Sequence, residues 1–143
     1  MELRPLGPND YDAVYALWKR IPGMGLRSLD DSREGIARFL LRNPSLSFLF
    51  AERERLAGCI LSGHDGRRGS IYHLCVDPAF RGRGLGRQLV QSALDALHAE
   101  GILKVALVCF KNNEPGNGFW AAMGFERRED LNYYGLSLNK ENR

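Results

Sequence analysis

The apolar positions of this chain fall into short strand-like runs and longer helix-like ones. Glu2-Leu3-Arg4-Pro5-Leu6 alternates, and Pro5, which has no N–H to donate, restricts that run to a sheet edge or a strand end. Gly7-Pro8-Asn9-Asp10 is turn chemistry with a helix cap, and Val14, Leu17, Trp18 and Ile21 then recur at helical spacing. Pro22-Gly23-Met24-Gly25 breaks this helix and opens a loop running to Asp31. Asp31 or Ser32 caps a second helix, whose stripe is Ile36, Phe39 and Leu40 and which Pro44 ends.

Beyond Pro44 the period changes. Ser47 to Glu52 and Leu56 to Gly63 read as strands paired through Arg53-Glu54-Arg55, and Gly69 to Val76 as a third strand after a Gly-rich turn. Leu85, Leu89, Val90, Ala93, Leu94 and Leu97 mark a long amphipathic helix with Gly101 as its C-terminal cap. Val105 to Cys109 is a nearly continuous apolar run, expected as a strand buried on both faces. Phe119, Trp120 and Met123 suggest a short helix stopped by Gly124, and Phe125 to Leu138 reads as a final hairpin. The order β-α-α-β-β-β-α-β-α-β-β describes an α/β (α+β) fold with a mixed sheet. It is read as one domain over residues 1–143, with no repeat or linker.

Composition changes little in this picture. With 44% apolar and 26% charged residues the chain has ordinary globular proportions, and its net charge of +3 is scattered, which argues against a nucleic-acid partner. No apolar run reaches membrane-spanning length, and Met1-Glu2-Leu3-Arg4 lacks the apolar stretch of a signal peptide, so a cytoplasmic protein with no membrane partner is expected. Cys59, Cys75 and Cys109 are odd in number and sit in apolar runs. They are expected to be buried free thiols, with no disulfide and no metal site.

The chemistry concentrates in Val76-Asp77-Pro78-Ala79-Phe80-Arg81-Gly82-Arg83-Gly84-Leu85-Gly86-Arg87. A strand ends at Val76, Pro78 prevents its continuation, and a helix begins within the glycines. Such a turn aims several backbone N–H groups at one point, where the helix dipole also favours an anion. Gly82, Gly84 and Gly86 carry no Cβ to obstruct a phosphate, and Arg81, Arg83 and Arg87 supply bidentate cationic partners. The P-loop pattern is excluded, because no Lys follows the glycines. The dinucleotide fingerprint is excluded too, because Lys104 to Cys109 offers no acidic residue.

Arg81-x-x-Gly84-x-Gly86, after a strand ending Leu74-x-Val76-x-Pro78, resembles the acetyl-CoA signature of the GNAT N-acetyltransferases. Asn113, Phe119-Trp120 and Gly124-Phe125 match a second pattern of that family in spacing and order, and the element order is also the family's. The run His64 to Leu74 resembles a small bacterial YpeA-like subgroup. The resemblance implies a central mixed, mostly antiparallel sheet flanked by about four helices, with two central parallel strands, Ile71 to Val76 and Val105 to Cys109, splayed apart. Acetyl-CoA, the co-substrate, would lie in that opening. Its pantetheine arm would pair with the backbone of Leu74, Cys75 and Val76, and its pyrophosphate with Arg81, Gly82, Arg83, Gly84, Leu85, Gly86 and Arg87; Asn113 and Trp120 would complete the cleft. A backbone N–H near Leu74 or Cys75 would stabilise the oxyanion, while a primary amine of a small molecule or peptide attacks directly in a ternary complex.

The chain departs from the family at Trp120, which stands where relatives carry a tyrosine acid; an indole N–H donates a hydrogen bond but is no useful acid. The strand Val105 to Cys109 has no glutamate, and Asn112 and Asn113 suit polar contacts better than catalysis. Tyr72 and His73 remain as candidates for the base. Strict alternation sends them to opposite faces, with Tyr72 on that of Leu74; His73 has the better intrinsic chemistry and Tyr72 the better direction. Two other functions fit the pattern. One is a protein N-terminal or lysine acetyltransferase, and the other a non-catalytic acyl-CoA-binding module. The loop Pro22 to Asp31 and a Tyr133-Tyr134 hairpin could wall off a small acceptor pocket. The chain is expected to be a monomer or homodimer.

Overall fold

Five strands stand side by side in chain order in the computed structural model, which describes residues 1–143: β1 (Glu2–Pro5), β2 (Phe48–Glu52), β3 (Arg55–His64), β4 (Gly69–Val76) and β5 (Val105–Ala106). Neighbours from β1 to β4 are antiparallel, and β4 and β5 are parallel. Helices α1 (Tyr11–Arg20) and α2 (Arg33–Arg42) lie between β1 and β2 in the chain, α3 (Leu85–Ala99) joins β4 to β5, and α4 (Glu114–Ala122) follows β5. The α/β class with a mixed, mostly antiparallel sheet and four α-helices is as expected, and Pro5 closes an edge strand.

The period of two in the strands feeds two cores. Leu49, Cys59 and Leu61 face α1 and α2, where they meet Val14, Leu17, Trp18, Ile36 and Leu40. Their neighbours Phe50 and Ile60 face α3 and pack on Leu89, Val90 and Ala93. Strand β3 therefore lies between two apolar layers, and residues 57–63 are buried without interruption. Each large side chain so buried contributes about 1.5–3 kcal/mol of transfer free energy. Helix α2 starts where Ser32 accepts a hydrogen bond from the Gly35 N–H at 3.1 Å; of the two candidate caps, Ser32 is the one used. Helix α3 stops at Gly101, whose φ of +85° lets Ile102 N–H reach back to the Leu97 carbonyl at 3.1 Å.

Three expectations are corrected. The run Val105 to Cys109 pairs only through Val105 and Ala106 and is not buried on both faces, since Val108 is 74% exposed. Nothing covers its outer side, because Phe125 to Leu138 forms no hairpin, and Tyr133 and Tyr134 stand in solvent. A hairpin needs a ladder to extend, and a two-residue strand offers almost none. The chain's last residues are fastened elsewhere: Asn142 Oδ1 accepts from Leu29 and Asp30 N–H at 3.0 Å, and Arg143 O from Ser28 N–H at 2.8 Å. The third correction is a β-bulge. Cys59 pairs with Cys75 but Leu61 with Tyr72, so Ile60 opposes both His73 and Leu74, and His73 takes a left-handed φ of +49°.

Candidate active site

Parallel pairing of β4 with β5 begins at Gly69–Val105 and ends one residue later, at Ser70–Ala106. From Ile71 to Val76 the edge of β4 that faces residues 107–109 has no strand partner, so its main-chain groups lie along a cleft without a ladder, the Val76 carbonyl alone being taken by Arg81. Val105 and Leu107 pack toward the α3 core, and β4 carries its bulge at His73 and Leu74 within the stretch that leaves β5.

At its far end the cleft meets the N-terminus of α3. Asp77 anchors this corner. Its carboxylate accepts from Ala79 N–H at 2.9 Å and pairs with Arg20 at 3.1 Å and Arg55 at 3.5 Å. The Ala79 N–H, aided by the two guanidinium groups, holds the Asp77 carboxyl below the usual carboxylate range. Gly82 (φ +79°) and Gly84 (φ +78°) then wind the turn in the left-handed region, and a Cβ at either would meet no protein atom within 4 Å. Gln88 is the first residue of α3 to donate back, to the Gly84 carbonyl at 3.1 Å. The N–H groups of Leu85, Gly86 and Arg87 have no intramolecular acceptor, Gly84 supplies no side-chain cap, and the first turn contains no acidic residue. Open space, free N–H donors and the positive end of the dipole converge there, as a pyrophosphate requires.

The individual candidates divide. Leu85 is buried and anchors α3, so only its N–H faces the turn. Gly86 was expected to clear space for phosphate, but a Cβ there would face Phe119 at 3.5 Å and Val76 at 3.8 Å. Arg81 spends its Nε on the Val76 carbonyl at 3.0 Å and so stitches the turn to the strand end. Arg83 lies over the Phe80 ring at 5.3 Å, which Arg55 also approaches at 5.0 Å, and Arg87 is exposed on the first turn of α3. Asn113 caps α4 by accepting from Gly116 N–H at 3.0 Å. Trp120 packs edge-to-face on Phe119 at 5.0 Å and on Phe125 at 5.2 Å, the arrangement of a structural aromatic.

The bulge changes the acceptor side. Because two residues oppose one, Tyr72 and His73 project from the same face, and Leu74 and Val76 lie on the opposite, α3 face. Tyr72 is 46% exposed and touches Phe39 of α2 edge-on at 5.8 Å. His73 stands edge-on to Trp18 of α1 at 4.9 Å, and its Nε2 lies 2.6 Å from Asp31 Oδ1. Cys75 is on this face too, its Sγ 3.8 Å from that of Cys59. The partner thiol and burial together push the Cys59 thiol far up, so it stays protonated. Cys109 is only half-buried. Asp31 and Asp77 were not singled out as site residues from the sequence. Asp31 read as one of two candidate helix caps beside Ser32, and nothing in the sequence pointed to its use in the site.

Residues 11–125 match the acetyltransferase (GNAT) family, and an acetyltransferase of Pectobacterium atrosepticum (strain SCRI 1043) is 36% identical over 127 residues, 88% of each chain. The chain belongs to the GNAT acetyltransferase family. The fold is shared with the aminoglycoside N-acetyltransferase AAC(6')-Iy crystallised with CoA (TM-score 0.74, 20% identity, 94% of this chain and 93% of that one). It is shared also with Ard1 of Thermoplasma volcanium (TM-score 0.73, 22% identity, 87% of this chain and 82% of that one). No helix is long and apolar enough to cross a membrane.

Proposed function

We propose that residues 1–143 act as one N-acetyltransferase domain that moves the acetyl group of acetyl-CoA to a primary amine of a small molecule or peptide. The observation that supports this most is the continuity of the cleft: an unpaired β4 edge leads directly to the unsatisfied N–H groups of Leu85, Gly86 and Arg87. The edge suits an amide-bearing pantetheine arm, and the helix end suits its pyrophosphate. The thioester carbonyl then lies near Leu74 and Cys75, where a free β4 N–H polarises it. The amine attacks the carbonyl carbon, the C–N bond forms, and the C–S bond breaks to release CoA thiol. Relatives named for CoA and for an aminoglycoside acceptor are in keeping with this chemistry. The buried thiols suit a cytoplasmic setting, and neither a metal nor a nucleic acid is required.

Purified protein is to be incubated with acetyl-CoA and a panel of aminoglycosides, polyamines, amino acids and peptides, with thiol release as readout. Acetylation of at least one small amine or peptide is expected; tight acetyl-CoA binding with no transfer would identify an acyl-CoA-binding module instead. Trp120 shapes the cleft in this reading and moves no proton. Trp120→Phe should therefore retain most turnover, and a loss beyond about 100-fold, the lower range for removing an acid–base group, would contradict that role.

A further inference from the structure

Asp31 lies in the loop before α2, 42 positions from His73, and is only 6% exposed. Every polar atom it presents is engaged. Oδ1 faces His73 Nε2 at 2.6 Å, Oδ2 accepts from Arg27 N–H at 2.7 Å, and its main-chain carbonyl accepts from the Tyr11 hydroxyl at 2.7 Å. A carboxylate accepts only, so the proton in the short contact sits on Nε2 and the lone pair of a neutral imidazole is on Nδ1. Nδ1 has no partner in the protein, and the one fully sealed and unpartnered side-chain nitrogen or oxygen of the molecule is Trp18 Nε1, so Nδ1 keeps some access to solvent on a side chain that is 16% exposed. The bulge is what aims this ring, since His73 in a regular strand would point into the α3 core.

We propose that Asp31 is a positioning residue that fixes His73 in the Nε2–H tautomer, so that Nδ1 takes the proton of the incoming ammonium, directly or through one water. The proposal rests on the acetyl-transfer reading above and deepens it. In the proton balance, the ammonium gives one proton to Nδ1 and becomes the nucleophilic amine. On attack, the amine's second proton leaves nitrogen as the C–S bond breaks and ends on the CoA sulfur. His73 returns its own proton to solvent. The charged state formed, an imidazolium on a buried carboxylate, is the one Asp31 stabilises. Among the titratable and charged groups nearby, Tyr11 binds the Asp31 carbonyl with the Arg33 guanidinium 5.0 Å from its ring, and the Cys59–Cys75 thiol pair and Tyr72 lie on the same face of the sheet as His73.

Asp31→Asn is the discriminating variant. Two N–H donors converge on this side chain, one from Arg27 and one from His73, and an amide has a single acceptor oxygen. With that oxygen retained by Arg27 N–H, the amide N–H₂ faces Nε2 and forces the proton onto Nδ1. Nitrogen-15 NMR of histidine-labelled protein should report Nε2–H for His73 in the parent and Nδ1–H in Asp31→Asn. With acetyl-CoA and the fastest amine of the panel, kcat should fall roughly 10²–10⁴-fold, the range for losing a general base, while acetyl-CoA affinity stays unchanged. Asp31→Glu, which restores a second acceptor, should recover part of the loss. The NMR reading needs no acceptor, so it stands or falls separately from the acetyl-transfer reading. A parent spectrum showing Nδ1–H would overturn the proposal, as would an Asp31→Asn enzyme with parental kcat across the pH range.

Discussion

Replacing Gly84 by Glu is expected to lower acetyl-CoA affinity roughly 10²–10³-fold, the loss of two charged hydrogen bonds at about 1.5–2 kcal/mol each. Two effects combine. The residue caps α3 with φ +78°, and a Cβ there would project into open space, where no protein atom lies within 4 Å. Glu would place its side chain and charge in the volume a pyrophosphate needs, and its carboxylate would compete for the free N–H groups of Gly86 and Arg87. The left-handed backbone adds about 1–2 kcal/mol of strain for any non-glycine residue, which falls on folding more than on binding. Gly84→Ala separates the two, because it has the strain without the charge. Calorimetric titration should show Gly84→Ala binding much closer to the parent than Gly84→Glu does. Equal acetyl-CoA affinity in folded Gly84→Glu and the parent would rule the turn out as the phosphate site.

The turn was legible in the sequence because its chemistry is local: a proline, three glycines and three arginines within ten residues act through their own backbone. So were the helices, since Val14, Leu17 and Trp18 or Leu89, Val90 and Ala93 carry a period that one element suffices to impose. Facing was not legible at β4. Alternation assigns Tyr72 and His73 to opposite faces, but a single extra residue opposite Ile60 reverses parity, and nothing in Ser70-Ile71-Tyr72-His73 announces it. Only the partner strand shows where the extra residue falls. Asp31 was illegible for a related reason, since its partner is set by how the α1–α2 loop folds back over the sheet. The last strand and hairpin were overread because Val105 to Cys109 has strand-like apolarity but leaves β4 after Ser70–Ala106, and the two-residue strand that results gives Phe125 to Leu138 almost no ladder to extend. The second signature, from Asn113 to Phe125, pointed correctly to α4, yet Asn113 and Trp120 are both engaged within the protein there.

Removing the His73 imidazole is expected to slow acetyl transfer roughly 10²–10⁴-fold while leaving acetyl-CoA affinity intact. Between His73 and Tyr72, a choice open on sequence grounds, their partners in the protein support the proposal for His73. Asp31 holds the His73 ring at 2.6 Å, whereas the Tyr72 hydroxyl has no hydrogen-bond partner in the protein and its ring rests on Phe39. The choice of substitute matters, because His73 occupies a left-handed φ of +49° that Asn tolerates better than most residues. His73→Asn therefore preserves the bulge, and His73→Gln preserves the side-chain length; both should lose activity if the imidazole is the base. Acetyl-CoA binding should not change, since β4 offers the cofactor its main chain and His73 points to the α1 face. Tyr72→Phe should turn over within a few-fold of the parent, because it removes only an unpartnered hydroxyl. If Tyr72→Phe shows the loss while both His73 variants keep the parental rate, the base is a water held by Tyr72 and the imidazole has no part in proton transfer.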